Sequence, residues 1–529
     1  MVISQQGIAA TSHPLASQAG AQILAKGGSA ADAAIAANAV LGLVEPMMNG
    51  MGGDLFVLYR EGKTGRLSGL NASGPAPRRL SPSFLAAGGT SVMPATGIHA
   101  VTVPGAVNGW AAMHQRFGKL SWGSLFETAI AYAERGFPVS EVVAGLWGTP
   151  ETVAKLQASP ESAGTFLVNN RPPALGDLFP NPGLGTAYRL LAREGAQTFY
   201  EGELAAAILR TSQRLGGTLT AEDLASFAPE WVELISIDYR GWRIHELPPN
   251  CQGLAALEML NIMEALPAGT EGPFSAAEMH RRIEAMKLAY ADAYRYNGDP
   301  RCAAVPVETL LSKQYARERA GLVHSERASA AAGAGKIPES ETVYLAVVDR
   351  EGNIASWIQS IYSSFGSGIT VEGMGFMLQN RGAGFTLEPG HPNVLAGGKR
   401  PFHTIIPGFM ERGERHVGFG IMGGANQPLA HAQFVSNVVD YGMNLQQALE
   451  SPRFFKGVCS GCDVTIESRL PAASLRRLSE MGHEITLRQK YSQEMGRGQA
   501  VMHDSRTGTN FAASDPRSDG AATPEPICA

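Results

Sequence analysis

Two hydrophobic periods take turns along this chain, and the places where one gives way to the other divide it into elements. From Ala30 to Glu45 nearly every position is Ala, Ile, Val or Leu. A helix there is apolar on all faces and is predicted to be buried, not superficial. Ser29 followed by Asp32 has the form of a capping box at its start, and Pro46 ends it. The run Asn49-Gly-Met-Gly-Gly-Asp54 then turns into a strand over Leu55–Tyr59, with a hairpin through Gly62–Gly65 and a return over Arg66–Asn71. Pro, Arg and Ser punctuation from Gly74 to Ser83 predicts a loop beside whatever site this sheet carries.

From Gly105 to Phe227 the period is mostly helical, with helices expected at Ala106–Arg116, Trp122–Arg135, Leu184–Glu194, Glu203–Leu215 and Ala221–Ser226. Strands resume at Glu233–Tyr239 and Trp242–Leu247, and helices return at Leu254–Ala265 and Ala276–Tyr296. The segment Arg327–Glu341 is poor in bulky residues and is expected to be a mobile or exposed connector, where chain cleavage is tolerated. It ends abruptly at Thr342, after which Val343 to Val348 read as a buried strand, Asp349–Gly352 as a turn and Asn353–Ile361 as the returning strand. Further on, His416–Phe419 is predicted as a strand entering Gly420-Ile-Met-Gly-Gly-Ala425, and Pro428–Val439 as a helix. Antiparallel strands grouped towards the chain ends, with helices between them, imply an α+β arrangement of stacked sheets covered by helices and not a βαβ alternation.

A threonine at the mouth of a buried strand, directly behind a connector, suits one kind of chemistry. Cleavage before Thr342 would give a single residue both a hydroxyl nucleophile and a free α-amine. That amine titrates near pH ~8 and could serve as general base. On composition alone, the same threonine is simply a β-branched residue filling a sheet. Gly418-Phe-Gly-Ile-Met-Gly423 matches the dinucleotide fingerprint G-x-G-x-x-G between a strand and a helix. Its rival is a tight Gly423-Gly424 turn whose amides point into a cavity and hold an oxyanion. Cys459-Ser-Gly-Cys462 has redox or half-zinc spacing. No second C-x-x-C and no H-x₃₋₅-H pair accompanies it, so it reads as a surface loop with two thiols, and no metal or cofactor is expected.

Composition narrows the partners. Of 529 residues 44% are hydrophobic and 17% charged, with 43 basic against 48 acidic side chains and no long run of one sign. That argues against nucleic acid or an anionic membrane as the main partner. Five cysteines do not make a disulfide framework, and the N-terminal residues have neither a basic region nor an unbroken apolar stretch. Both features lead to the expectation of a cytoplasmic protein.

Ordered blocks along the chain resemble the γ-glutamyltranspeptidase family. They include residues 27–46, M-G-G-D-L-F at 51–56, V-P-G-A-V-N-G-W at 103–110 and D-Y-R-G-W at 238–242. The Thr342 strand, S-S-F-G-S-G at 363–368, K-R-P at 399–401, Gly423-Gly424, D-Y-G-M-N at 440–444, P-R-F at 452–454 and S-D-P-R-S-D-G at 514–520 complete the set. The resemblance implies a four-layer αββα N-terminal-nucleophile sandwich built jointly by two subunits from one precursor. The cut would fall between Glu341 and Thr342, giving a large subunit of residues 1–341 and a small one of residues 342–529, and a dimer of such heterodimers is open. Thr342 would be the nucleophile, Gly423 and Gly424 the oxyanion hole, and Ser360 the hydroxyl that tunes the nucleophile. The family's Thr-Thr-His is Thr342-Val343-Tyr344 here.

The departures bear on substrate. Where the family holds a γ-glutamyl carboxylate with an arginine, this chain has Ser73; the second-strand asparagine is Tyr362; the adjacent serines are His403-Thr404; and the Gln-x-x-Asp that receives the amine is Arg381-Gly-Ala-Gly384. The anionic partner of a substrate ammonium is lost and cationic and bulky groups are gained. The implied substrate is a small anionic amide without an α-amine, with Arg381 gripping its carboxylate. Alternatives are that Arg381 pairs with Glu388, that Tyr362 only packs in its strand and that His403 only packs beside Pro401. Within the family the oxamate amidohydrolases, which release ammonia and leave oxalate in purine breakdown, fit that substrate. A γ-glutamyl hydrolase or transpeptidase and a β-lactam acylase are the alternatives.

Overall fold

The computed structural model describes residues 1–267, 269, 271–330 and 341–527, with Glu341 in its backbone only. Much of the connector expected over Arg327–Glu341 lies outside the described residues, as does Cys528. Two seven-stranded antiparallel sheets form the centre. In order across it, the first is Ala521–Pro524, Ile8–Thr11, Glu341–Val348, Ile354–Tyr362, Asp54–Arg60, Leu67–Ala72 and Glu230–Val232. The second is Val2–Ser4, Thr509–Ser514, Arg497–Asp504, Arg415–Met422, Gly408–Arg412, Trp242–Glu246 and Ile235–Tyr239. The strand expected over Glu233–Tyr239 forms over Ile235–Tyr239 at the edge of the second sheet; just before it an unexpected strand, Glu230–Val232, closes the first sheet, and Glu233 and Leu234 cross between the two.

The sheets lie face to face at close quarters. Ser356 Oγ of the first sheet donates to the Gly408 carbonyl of the second at 2.9 Å. A Cβ on Gly418 would lie 2.8 Å from Ile354 Cγ2, and one on Gly420 would lie 2.4 Å from the Tyr344 ring. Both glycines sit inside the Arg415–Met422 strand, which runs further than the expected His416–Phe419. Two of the three glycines of the dinucleotide fingerprint are therefore sheet-packing glycines, which removes the geometric basis of the nucleotide reading.

Helices cover both outer faces. Ala30–Val44 is buried at every position and lies on the first sheet beside Pro14–Ala25. Its capping box forms as expected: Asp32 N–H donates to Ser29 Oγ at 3.1 Å and Ser29 N–H to Asp32 Oδ2 at 2.9 Å. Gly253–Ala265 and Gln427–Val439 cover the second sheet, with Ala276–Tyr296 packed outside the former. The result is the αββα sandwich that the resemblance implied, with one apolar core around the first sheet and another between the second sheet and its helices. The helix expected over Trp122–Arg135 begins as a 3₁₀ turn, Trp122–Phe126, before the α-helix Glu127–Arg135. No described helix is long and apolar enough to cross a membrane.

Candidate active site

Thr342 lies at the end of the central strand pair of the first sheet. Glu341 pairs with Tyr362 but Val343 with Gln359, so the register slips at Thr342. Such irregularities re-aim a side chain and cluster near active sites. Thr342 is fully buried, and its Oγ1 has no hydrogen-bond partner among the described residues. A buried hydroxyl left unpaired is costly, and a site that uses it is the ordinary reason to keep one. Opposite, the return strand ends at Tyr362 with φ of 82°, a left-handed conformation that stores on the order of 1–3 kcal/mol.

Ser360, two residues before that turn, accepts the Tyr362 N–H at 2.8 Å and Arg381 Nη2 at 3.2 Å on one Oγ. Arg381 heads a short 3₁₀ turn and is fully buried. Its Nη1 donates to Thr404 Oγ1 at 2.8 Å, and its guanidinium lies 4.2 Å above the Tyr362 ring. Tyr362 therefore does more than pack in its strand. Arg381 Nε is buried without a partner among the described residues, and Glu388 is not among the groups to which Arg381 is seen to donate. Burial pushes the Arg381 pKa down to about 10, while Tyr362 and Asp54 oppose the shift, so the group is cationic at neutral pH.

Asp54, which the sequence showed only as the end of a glycine turn, is the anion of this site. It begins the strand Asp54–Arg60 opposite Ser360. Its Oδ1 accepts Gly74 N–H at 3.0 Å, Gly105 N–H at 3.2 Å and Gln379 Nε2 at 3.0 Å, and its Oδ2 lies 3.1 Å from His403 Nε2. Burial raises its pKa to about 6, with Arg381 and the donors pulling the other way. His403 is fully buried with its ring edge-on to Phe56, centroids 4.8 Å apart. Burial, then Arg381 and Arg400, hold its pKa well below the usual histidine range. His403 thus does more than pack beside Pro401: it is a neutral donor to Asp54, because a buried site beside two arginines disfavours its charge.

The remaining candidates adjoin the same network. Ser73 donates to Asn71 Oδ1 at 2.8 Å and accepts Asn250 Nδ2 at 3.2 Å, while the Asn250 carbonyl receives His403 N–H at 2.9 Å. Ser73 is thus tied to the wall behind His403. Gly423 and Gly424 follow the Arg415–Met422 strand with φ of 143° and 59°. A Cβ on Gly423 would lie 3.1 Å from Gly496 Cα, so both conformation and space select glycine. Gln252 Nε2 holds the Gly424 carbonyl at 2.8 Å and also donates to the Thr404 carbonyl, which links this turn to the Arg381 side of the site. Neither glycine N–H has an acceptor among the described residues, the arrangement an oxyanion hole requires.

Elsewhere, His280, Glu284 and His483 bring metal-ligating atoms within 4.8 Å of one another. These atoms bond internally: His280 Nδ1 lies 2.8 Å from His483 Nε2, and Glu284 receives Lys287 at 2.7 Å. Cys459 is buried and Cys462 half-buried, which corrects the expectation of a surface loop with two thiols; neither is in a disulfide.

The model of the gamma-glutamyltranspeptidase family matches residues 16–525. The chain belongs to this family. A glutathione hydrolase-like YwrD proenzyme of Bacillus subtilis is 36% identical, over 98% of this chain and 99% of that one. An oxamate amidohydrolase proenzyme of Klebsiella pneumoniae is 34% identical, over 98% of each. Among solved structures, a cephalosporin acylase from Bacillus halodurans superposes with a TM-score of 0.93 at 40% identity, over 99% of this chain and 96% of that one. These relatives differ in what their names say they act on, so specificity within the family rests on the site itself.

Proposed function

We propose that this family member is a self-processing amidohydrolase whose nucleophile is Thr342 and whose substrate is a small anionic amide, with oxamate the best fit. The observation that carries the reading is the buried, unpartnered Thr342 Oγ1 at a register slip beside Ser360. In maturation, Oγ1 attacks the Glu341 carbonyl carbon, the 341–342 amide shifts to an ester, and water hydrolyses the ester. Residues 1–341 and 342–529 are then separate chains, and Thr342 has a free α-amine. In turnover that amine accepts the hydroxyl proton as Oγ1 attacks the substrate amide. The Gly423 and Gly424 amides receive the developing oxyanion. The protonated amine passes its proton to the leaving nitrogen, ammonia departs, and water releases the acid from the Thr342 ester.

Arg381 supports the anionic substrate. It is a buried cation whose Nε has no partner among the described residues, on the wall that also holds Ser360. Oxamate places a carboxylate one bond from the scissile amide, so the distance from guanidinium to nucleophile must be short. A γ-glutamyl group would bring an ammonium towards Arg381 and gain no carboxylate at the Gly384 position. The likeness to a cephalosporin acylase supports a second reading, in which the same nucleophile cleaves a larger carboxylate-bearing acyl amide. Ammonia or amine release from oxamate, a glutaryl amide and γ-glutamyl anilide separates these. Oxamate is expected to be turned over best, and a preference for the anilide would overturn the reading of Arg381. The low cysteine content and the balance of 43 basic against 48 acidic residues support a cytoplasmic enzyme, which fractionation of the source cells would test.

A further inference from the structure

Arg381 and Asp54 are both fully buried, and their opposite charges offset each other within one network. A substrate carboxylate adds a second negative charge to that enclosed site. We propose that Asp54 and His403 act as a proton-accepting pair that sets specificity: when a small carboxylate occupies Arg381, the pair takes up a proton from solvent, so the anion enters together with H⁺. This rests on the reading of Arg381 as the carboxylate-binding group. The geometry supplies what such a pair needs. Asp54 Oδ2 and His403 Nε2 are 3.1 Å apart, and the three donors on Oδ1 keep the carboxyl in place in either protonation state.

The charged and titratable groups facing the pair are few. Arg381 acts on both members, Arg400 acts on His403, and Tyr200 is a neutral phenol buried near Asp54. With Arg381 turned to a substrate carboxylate, the stabilisation it lends to the Asp54 anion is shared, and protonating the pair restores the former net charge. The proton belongs to the pair as a unit. The free carboxyl already titrates near 6, so at pH 7.5 protonating it costs a factor of about 30 in affinity, a tenfold cost per pH unit above its pKa. A neutral amide carries no such cost. Asp54 is thus a positioning and specificity residue that acts through Arg381.

Calorimetry on the processed enzyme tests this with glycolate, a monoanion lacking a cleavable amide, and with hydroxyacetone, a neutral ketone of the same size that also lacks one, each titrated in Tris and in HEPES at pH 7.5. The expected result is uptake of nearly one proton per glycolate, none per hydroxyacetone, and glycolate binding about tenfold weaker per pH unit between pH 7 and 8.5. In Asp54→Asn the uptake should vanish and glycolate affinity should become independent of pH. Glycolate binding without proton uptake by the wild-type protein would overturn the proposal and leave the role of Arg381 standing. Failure of glycolate to bind would overturn both, and unchanged uptake in Asp54→Asn would remove the assignment to this pair.

Discussion

Replacing Arg381 with glutamine removes a buried cation while leaving a side chain of similar width at the base of the site. Two effects follow, and they can be told apart. The hydroxyls of Thr404 and Ser360 lose charged donors that stand at 2.8 and 3.2 Å, which perturbs the nucleophile's neighbour whatever the substrate. Only an anionic substrate also loses its counter-charge. Leaving one member of a buried ion pair alone costs about 3–5 kcal/mol, and at about 1.4 kcal/mol per decade this is two to nearly four orders of magnitude in kcat/KM. The assay is ammonia release from oxamate and from its neutral analogue oxamide by wild type and Arg381→Gln. The ratio of the two kcat/KM values cancels damage to the nucleophile. It should fall at least about a hundredfold, most of it on oxamate. Equal losses on both substrates would refute the idea that Arg381 recognises a carboxylate, whatever the absolute rates.

Ser360→Ala should slow both maturation and turnover by about 10- to 100-fold, the range for losing a hydrogen bond to a charged or reacting group. Single-turnover kinetics with a retained KM would identify positioning of the nucleophile as the cause, and an unchanged rate would contradict the role. Gly420→Ala places a methyl 2.4 Å from the Tyr344 ring and should destabilise the stacked sheets by about 1–3 kcal/mol in urea, with partial recovery when Tyr344→Ala is added. Stability should also report Asp54. Its folded pKa of about 6 stands above its ordinary 3.8, so the native state binds that proton more tightly than the unfolded chain does. The group therefore lowers stability above pH 6, and the effect is relieved as pH falls from 6 towards 4. Relative to wild type, Asp54→Asn should gain about 2 kcal/mol more at pH 7.5 than at pH 4.5, and the opposite sign would show that Asp54 is not desolvated.

Local signals carried the parts of the fold whose causes are local. The Ser29–Asp32 capping box, the hairpin after Asp54 and the Thr342 strand with its return are each written within a few residues, and each forms. Gly418 and Gly420 misled for the opposite reason. Their requirement for glycine comes from Ile354 and Tyr344 on the facing sheet, so they resemble a phosphate loop in sequence while lying in a strand. The division of Glu230–Tyr239 between two sheets was hidden similarly, because its pairing partners are far along the chain. In the site, differences from a known family pointed to Arg381, Tyr362 and Thr404, which the structure brings together. Asp54 was passed over since its partners Gly105, Gln379 and His403 arrive from distant segments. The neutral state of His403 depends on burial beside two arginines, which no local pattern encodes.

The central claim is that the chain makes its own nucleophile at Thr342. Intact-mass measurement of the purified protein, side by side with Thr342→Ala, tests it most directly. The wild-type protein should give two species, one ending at Glu341 and the other beginning at Thr342 and carrying the amidohydrolase activity only after the cut. Thr342→Ala should remain a single inactive chain of full length. A wild-type protein that is active while uncut, or a Thr342→Ala protein that cuts itself at the same bond, would contradict the account.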